Sequence, residues 1–218
     1  MTKLTGPRRA SKSGKNDSLV IFLHGYGADG NDLIGLADPL AEHLPDTVFL
    51  SPNAPQPCTN NPMGYQWFPI SWLDGSSEES MLQGRAEAIA LLDAYLDEVV
   101  EAEGIAPDRT ILVGFSQGTM MALHVAPRRA EAFAGIVGFS GKLLEPEKLA
   151  AEAVSKPPVL LVHGDADEMV PPASLPEAAD ALVKAGFEVY THISKGTGHG
   201  IAPDGLGVAL QFIQMKLG

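Results

Sequence analysis

Short apolar runs recur along the chain and alternate with longer segments in which apolar residues repeat every three or four positions. This alternation is typical of βαβ units and predicts an α/β fold, with a mainly parallel central sheet and helices on both faces. Most runs are apolar without interruption, which indicates strands covered on both sides. The predicted strands cover residues 19–24, 47–51, 110–113, 134–139, 159–163 and 189–193.

The helical pattern is clearest in two places. A long helix is predicted over residues 78–103, because apolar residues from Ile89 to Val99 repeat at spacings of three and four and Gly104 follows as a stop. A final helix is predicted from the apolar stripe between Leu206 and Leu217. Residues 4–9 fit an edge strand.

Residues 52–75 show no clear period and are rich in proline and asparagine, so they are predicted to form a long structured loop. Long loops in compact domains are usually functional, and this one is expected to be an insertion that shapes a substrate groove. No linker divides the chain, and residues 142–158 are too few for a separate cap. One domain over residues 1–218 is therefore expected.

Composition excludes several classes of protein. Apolar residues make up 45% of the chain and charged residues 19%, which indicates a globular protein. The net charge of −12 leaves no basic surface for nucleic acid. The apolar run at residues 19–23 is too short for a signal segment or a membrane span, so we expect a cytoplasmic protein with no stable membrane insertion. Cys58 is the single cysteine, so it predicts neither a disulfide nor a zinc site.

The sequence GFSQG at residues 114–118 matches the G-x-S-x-G pattern and lies between a predicted strand and an apolar, helix-like stretch. A serine at the tip of such a turn needs a strained backbone, and glycines on either side avoid collisions. Ser116 is therefore the candidate nucleophile. Ser140 also follows a strand, but Lys142 stands where the second glycine should be, which makes Ser140 the weaker candidate.

A nucleophilic serine needs a base and an acid, which follow it along the chain in the order Ser, Asp or Glu, His. His199 lies in a glycine-rich loop before the last helix and is the candidate base. The acid is expected after the strand at residues 159–163, where Asp165, Asp167 and Glu168 compete. Spacing does not choose between the two aspartates, and all three carboxylates could instead cap the next helix.

The sequence GYGADG at residues 25–30 is a literal G-x-G-x-x-G after a strand, which is also the pattern of a dinucleotide-binding loop. The next strand does not end in the acid or arginine that such a cofactor needs; it runs into PNAP at residues 52–55. In a hydrolase, the same loop would let the amide of Tyr26 join that of Gln117 in an oxyanion hole.

Taken together, these motifs resemble the phospholipase/carboxylesterase family of α/β-hydrolases, which includes the acyl-protein thioesterases. The resemblance spans most of the chain. It rests on HGYG at residues 24–27, PNAP at 52–55, Trp67-Phe68, GFSQG at 114–118, HGDAD at 163–167 and Gly198-His199.

The resemblance implies an α/β-hydrolase fold without a cap domain and a catalytic triad of Ser116, Asp167 and His199, so it selects Asp167 over Asp165. It also implies that Tyr26 and Gln117 give the oxyanion amides and that an acyl groove is bordered by side chains of the long loop and of the acid loop. These groove residues are Trp67, Phe68, Leu73 and Met169.

The activity expected is a serine carboxylesterase acting through an acyl-enzyme on Ser116, with thioesters and lysophospholipids as further substrate classes. No cofactor and no metal are expected. The expected partner is a small-molecule acyl ester, and a homodimer stays open. Two alternatives remain: a dinucleotide-dependent oxidoreductase that uses the GYGADG loop, and a non-catalytic binding protein on a hydrolase fold.

Overall fold

The computed structural model describes residues 3–218. Its strands are β1 (Arg8–Arg9), β2 (Ser18–Leu23), β3 (Thr47–Leu50), β4 (Gln56–Pro57), β5 (Tyr65–Gln66), β6 (Thr110–Phe115), β7 (Gly135–Phe139), β8 (Val159–Gly164) and β9 (Val189–Ser194). Its α-helices are α1 (Gly30–Ile34), α2 (Ala37–Ala41), α3 (Ser71–Asp74), α4 (Glu78–Glu103), α5 (Gln117–Val125), α6 (Pro146–Glu152), α7 (Ser174–Lys184) and α8 (Pro203–Leu217).

Seven strands form the central sheet in the order β1-β3-β2-β6-β7-β8-β9. All neighbours are parallel except β1, which pairs with β3 in the antiparallel direction. The predicted mainly parallel sheet is therefore confirmed. The regular edge strand is shorter than the expected residues 4–9 and covers Arg8–Arg9, because Pro7 has no amide hydrogen to donate. The carbonyls of Pro7 and Thr5 still accept hydrogen bonds from the amides of Ser51 (3.1 Å) and Asn53 (2.9 Å).

Each central strand supplies residues to two hydrophobic cores, one on either face of the sheet. In β2, Leu19, Ile21 and Leu23 pack on one face, while Val20 and Phe22 pack on the other. Helices α4, α5, α6 and α7 cover the first face, and α1, α2 and α8 cover the second. Burial on both sides is why the strands appear in the sequence as uninterrupted apolar runs.

Helix α4 has the bounds that the sequence predicts. The hydroxyl of Ser77 accepts a hydrogen bond from the amide of Ser80 (3.1 Å) and so caps the first turn. Gly104 ends the helix in the left-handed region, at φ +65°. No helix within residues 3–218 has the length and apolar character needed to cross a membrane.

Residues 52–75 contain the small antiparallel pair β4–β5 and the short helix α3. This segment is joined to the loop that follows β2. The amide of Gly27 donates to the carbonyl of Tyr65 (2.8 Å), and the amide of Tyr65 donates to the carbonyl of Ala28 (2.7 Å). The long loop thus lies against the carboxyl edge of the sheet, where open α/β folds bind their ligands.

Candidate active site

Ser116 occupies the sharp turn between β6 and α5. Its backbone has φ 53° and ψ −114°, a conformation that residues other than glycine rarely adopt. The amide of Ser116 donates to the carbonyl of Phe139 on the neighbouring strand (2.9 Å), which helps to hold the strained turn. The turn therefore presents the serine side chain at the carboxyl edge of the sheet.

Gly114 and Gly118 have to be glycine because backbone atoms pack against them. A Cβ atom on Gly114 would lie 2.4 Å from the amide nitrogen of Thr119. A Cβ atom on Gly118 would lie 1.8 Å from the carbonyl oxygen of Leu23. Neither backbone group can move without displacing β2 or α5, so both glycines of the pattern are requirements of the packing.

Ser116, His199 and Asp167 form a continuous hydrogen-bonded chain. The Nε2 atom of His199 lies 3.0 Å from the Oγ atom of Ser116. The Nδ1 atom of the same ring lies 2.9 Å from Oδ2 of Asp167. The imidazole also packs against the ring of Phe115, with 4.9 Å between the centroids. These contacts fix the ring between serine and carboxylate.

The Asp167 carboxylate is completely buried, yet it stays ionised. Burial alone would raise its pKa, but the hydrogen bonds from His199 and from the amides of Val170 and Met169 hold the pKa below its usual value. Both amides donate to Oδ1 at 2.9 Å. Because the carboxylate only accepts, Nδ1 of His199 carries a proton, which leaves Nε2 free to accept the serine proton.

His163 stands behind this carboxylate. Its Nε2 atom lies 2.9 Å from the carbonyl of Val170 and 3.4 Å from Oδ2 of Asp167. The side chain is buried at the end of β8. His163 thus packs against the acid loop from within the molecule.

The rival candidates lie elsewhere. Oδ1 of Asp165 accepts a hydrogen bond from the amide of Gly196 (2.6 Å), so this aspartate holds the loop that leads to His199 instead of contacting the imidazole. Ser140 also has a positive φ of 46°, but it is buried and, among residues 3–218, its hydroxyl has no hydrogen-bond partner.

The loop after β2 lies directly against the candidate nucleophile. A Cβ atom on Gly25 would be 3.3 Å from Cβ of Ser116, so glycine allows this close approach. Tyr26 follows in that loop. Gln117 is the first residue of α5, where backbone amides have no partner within the helix. The amides of Tyr26 and Gln117 therefore belong to the two backbone segments that flank Ser116.

His24 lies between the loop after β2 and the long loop. Its Nδ1 atom donates to the carbonyl of Gly25 (2.8 Å), and Nε2 accepts from the amide of Ala54 (2.9 Å). Burial lowers the pKa of His24, although the hydrogen bond to Gly25 partly opposes this effect. The ring is therefore neutral and joins the loop after β2 to the long loop.

The side chains of Tyr26 and Gln117 also anchor the long loop. The Gln117 carboxamide accepts from the amide of Trp67 (2.8 Å) and donates to the carbonyl of Phe68 (2.8 Å). The Tyr26 hydroxyl donates to Asp74 (3.1 Å), and burial is the main reason why its pKa is raised. Each candidate oxyanion residue is thus tied to residues 52–75 through its own side chain.

The expected groove residues are not all at the surface. Trp67 is 0% exposed and its indole N–H donates to the carbonyl of His24 (3.0 Å), and Phe68 is only 5% exposed. The expectation that these two side chains line an acyl groove needs correction, because both are buried in the hydrophobic core and anchor the long loop there. Leu73 is half-buried and Met169 is exposed.

Trp72 was not among the predicted site residues, yet it is 69% exposed on α3. The sequence signal was its place in the aperiodic loop, beside apolar Leu73 and Ile70. That signal did not distinguish it from Trp67, because no period shows which aromatic side chain of a loop points inward.

The glycine loop at residues 25–30 is filled by the protein's own backbone. A Cβ atom on Gly30 would lie 2.1 Å from the carbonyl oxygen of Ser51. A Cβ atom on Gly64 of the long loop would lie 2.0 Å from the carbonyl oxygen of Gly27. The space that a pyrophosphate would need is taken by these chain segments, which argues against the dinucleotide-binding alternative.

The chain is similar in sequence to known proteins. A sequence model of the phospholipase/carboxylesterase family matches residues 5–217. Acyl-protein thioesterase 1 of Gibberella zeae is 29% identical over 216 residues, covering 93% of this chain and 92% of the relative. Esterase YpfH of Escherichia coli is 27% identical over 202 residues, covering 91% and 83%.

Solved structures are also similar. Esterase PE8 superimposes with a TM-score of 0.94 and 47% identity, covering 99% of this chain and 100% of that one. SOBER1 of Arabidopsis thaliana gives a TM-score of 0.78 at 26% identity, covering 93% and 100%.

Proposed function

Because this chain belongs to the phospholipase/carboxylesterase family of α/β-hydrolases and is a carboxylic ester hydrolase, we propose that Ser116, His199 and Asp167 are its catalytic triad. The observation that carries the proposal is the chain of hydrogen bonds from Ser116 Oγ through the imidazole to the buried carboxylate, with lengths of 3.0 and 2.9 Å. A strained turn and a buried acid are costly features that a binding protein would not need.

In the proposed reaction, His199 Nε2 takes the proton of Ser116 as Oγ attacks the ester carbonyl carbon. The Oγ–C bond forms, the carbonyl oxygen becomes an oxyanion, and Asp167 stabilises the imidazolium. When the tetrahedral intermediate collapses, the bond to the leaving alcohol breaks and Nε2 gives its proton to that alcohol. Water then attacks the acyl-enzyme with His199 as base, which releases the acid and restores the serine.

The amides of Tyr26 and Gln117 are the proposed oxyanion donors. They belong to the two backbone segments next to Ser116, and Gln117 begins a helix whose free amides favour negative charge. Each such donor contributes on the order of 100-fold to 1,000-fold in rate.

For the acyl side of the site, we propose a surface formed by Leu73, Met169 and Trp72. Met169 and Trp72 are 46% and 69% exposed, so apolar contact area is available to an acyl chain. Thioesters are proposed as further substrates beside carboxylic esters, since several relatives are named acyl-protein thioesterases. Lysophospholipids are proposed because the description of the matching family includes phospholipases.

The test is labelling with a fluorophosphonate probe, followed by peptide mass mapping. Native protein should carry the adduct on Ser116 and heat-denatured protein should not. The variant Ser116→Ala should lose labelling and ester turnover, whereas Ser140→Ala is the matched control and should keep both. Full turnover by Ser116→Ala would contradict the proposal, and an adduct on Ser140 would assign the role of nucleophile to Ser140 instead.

A further inference from the structure

A cavity of about 290 Å³ opens beside the triad, on the face of the sheet covered by α1 and α8. Its walls are formed by Leu33, Leu36, Phe115 and Ile201, with Gly200 and Asp32 completing the lining. None of these residues belongs to the surface proposed above for the acyl chain. The volume lies just below the range of drug-sized ligand pockets, roughly 300–1,000 Å³, and suits a small group.

The position of this cavity relative to His199 decides what it can hold. The leaving alcohol must receive its proton from Nε2 of His199, so it departs on the side of the imidazole. Phe115 packs on that imidazole with 4.9 Å between ring centroids, and Gly200 and Ile201 directly follow it in the chain. The cavity therefore adjoins the point from which the alcohol leaves, while Leu73 and Met169 belong to other loops.

The chemistry of the walls indicates which alcohols would fit. The four larger wall residues are apolar, and within residues 3–218 Asp32 is the only charged residue of the lining. Asp32 lines the cavity and is exposed, so the one charged side chain of the lining is in contact with solvent. Apolar walls with one carboxylate accept an uncharged or cationic group and repel an anionic one.

We propose that this cavity is the leaving-group subsite and that it takes a small uncharged or cationic alcohol. The inference rests on the proposed triad. During acylation, the bond between Ser116 Oγ and the acyl carbon forms, the bond between that carbon and the alcohol oxygen breaks, and His199 Nε2 protonates the oxygen while the alcohol still occupies the cavity.

The effect of the Asp32 carboxylate on the choice of alcohol is tested with two esters of the same acid. Butyrylcholine and 3,3-dimethylbutyl butyrate have alcohols of nearly the same shape, but only the first carries a positive charge. The ratio of kcat/KM for butyrylcholine to kcat/KM for 3,3-dimethylbutyl butyrate should fall about threefold to tenfold in Asp32→Asn at low ionic strength, because one carboxylate is lost near the cation. Asp180→Asn on α7 is the matched control and should leave the ratio unchanged. An unchanged ratio in Asp32→Asn would overturn the role of the carboxylate.

The effect of the size of the cavity on the choice of alcohol is tested at Leu36, a half-buried residue of its wall. Leu36→Phe fills the cavity and should lower kcat/KM for butyrates of bulky alcohols about tenfold more than for methyl butyrate, while Leu36→Ala should shift the preference towards bulkier alcohols. Leu82→Phe, at an exposed position of α4, is the control for the same substitution. Thermal melting checks that each variant is folded.

The outcomes separate this inference from the proposed function. If Leu36→Phe changes the acyl-length profile of methyl esters and leaves the alcohol profile unchanged, the cavity holds the acyl chain and the inference is wrong. If Ser116→Ala keeps full turnover, the proposed triad is wrong, and the subsite that rests on it is wrong as well. If Ser116 is required and neither Leu36 variant alters the alcohol profile, only the subsite is overturned.

Discussion

Asp165 and Asp167 stand two residues apart after β8, but they bind different partners. Asp167 reaches Nδ1 of His199 with one oxygen and two backbone amides with the other. Asp165 binds the amide of Gly196, in the loop that carries His199. A carboxylate that orients an imidazole contributes to the rate directly, whereas one that orders a loop contributes through the position of that loop.

Substitution of these two residues should therefore have very different effects. Asp167→Asn is expected to lower kcat on the order of 10³-fold to 10⁴-fold, because an amide at this place favours the wrong imidazole tautomer. Asp165→Asn should stay within about tenfold of the parent, since it weakens one loop contact. Steady-state hydrolysis of a p-nitrophenyl ester measures both. A larger loss in Asp165→Asn than in Asp167→Asn would reverse the assignment of the acid.

His124 on α5 is buried, and among residues 3–218 its Nδ1 atom has no hydrogen-bond partner. Burial, with a smaller contribution from the charge of Arg128, lowers its pKa from 6.5 to about 4. The unfolded chain therefore binds a proton between these two pH values while the folded chain does not. The contribution of His124 to the free energy of unfolding therefore falls as pH drops from 6.5 towards about 4.

The size of this effect can be measured with His124→Gln. Between pH 7.5 and pH 5.0, the parent protein should lose about 2 kcal/mol more unfolding free energy than the variant. Urea denaturation at both pH values gives the four free energies that are needed. Equal losses in the two proteins would show that His124 binds the same number of protons in the folded and unfolded states in this pH range.

The Gln117 carboxamide connects helix α5 to the long loop. It forms hydrogen bonds with the backbone amide of Trp67 and the backbone carbonyl of Phe68. The proposed oxyanion amide belongs to the same residue. Loop and oxyanion donor are therefore coupled, and the order of the loop should affect the rate of the chemical step as well as substrate binding.

Gln117→Ala tests this coupling, since it removes the carboxamide and keeps the backbone amide. We expect kcat to fall about tenfold to 100-fold, with a smaller change in KM, because a misplaced donor loses part of its transition-state stabilisation. Kinetics with a short acetate ester give both parameters. Gln214→Ala, at an exposed position of α8, is the matched control. A rise in KM alone would mean that the loop serves binding only.

Elements with a strong period could be predicted, and elements fixed by distant contacts could not. Helix α4 has the predicted bounds because its apolar face repeats over many turns. The pair β4–β5 was not predicted, since each strand has only two residues and depends on contacts with the loop after β2. The inward position of Trp67 likewise depends on Gln117, a residue far away in the sequence.

At the scale of the whole molecule, the parallel topology explains why the site was predictable in outline. Ser116 and the acid loop follow parallel strands, so they meet at the carboxyl edge of the sheet. The choice between Asp165 and Asp167 needed the family resemblance, because side-chain direction in a loop follows no period. The cavity beside Phe115 could not be predicted at all, since α1, β6 and the His199 loop form it together.

The two cores share their strands, which should make unfolding cooperative. Strands β2, β6, β7 and β8 send alternate residues into both cores, so neither core can open without exposing the other. The long loop is held to this sheet by Trp67, which is fully buried. We therefore propose that the chain is one domain and that its loop unfolds with the sheet.

Trp67 itself can report on this proposal. In a Trp72→Phe background, tryptophan fluorescence follows the loop alone, because Trp67 and Trp72 are the only tryptophans. Its urea transition should coincide with the loss of far-UV circular dichroism, since burial of Trp67 requires the intact core beneath it. An earlier fluorescence transition would show that the loop opens separately. Activity would then be lost before the fold, because the loop holds both proposed oxyanion residues through Gln117 and Tyr26.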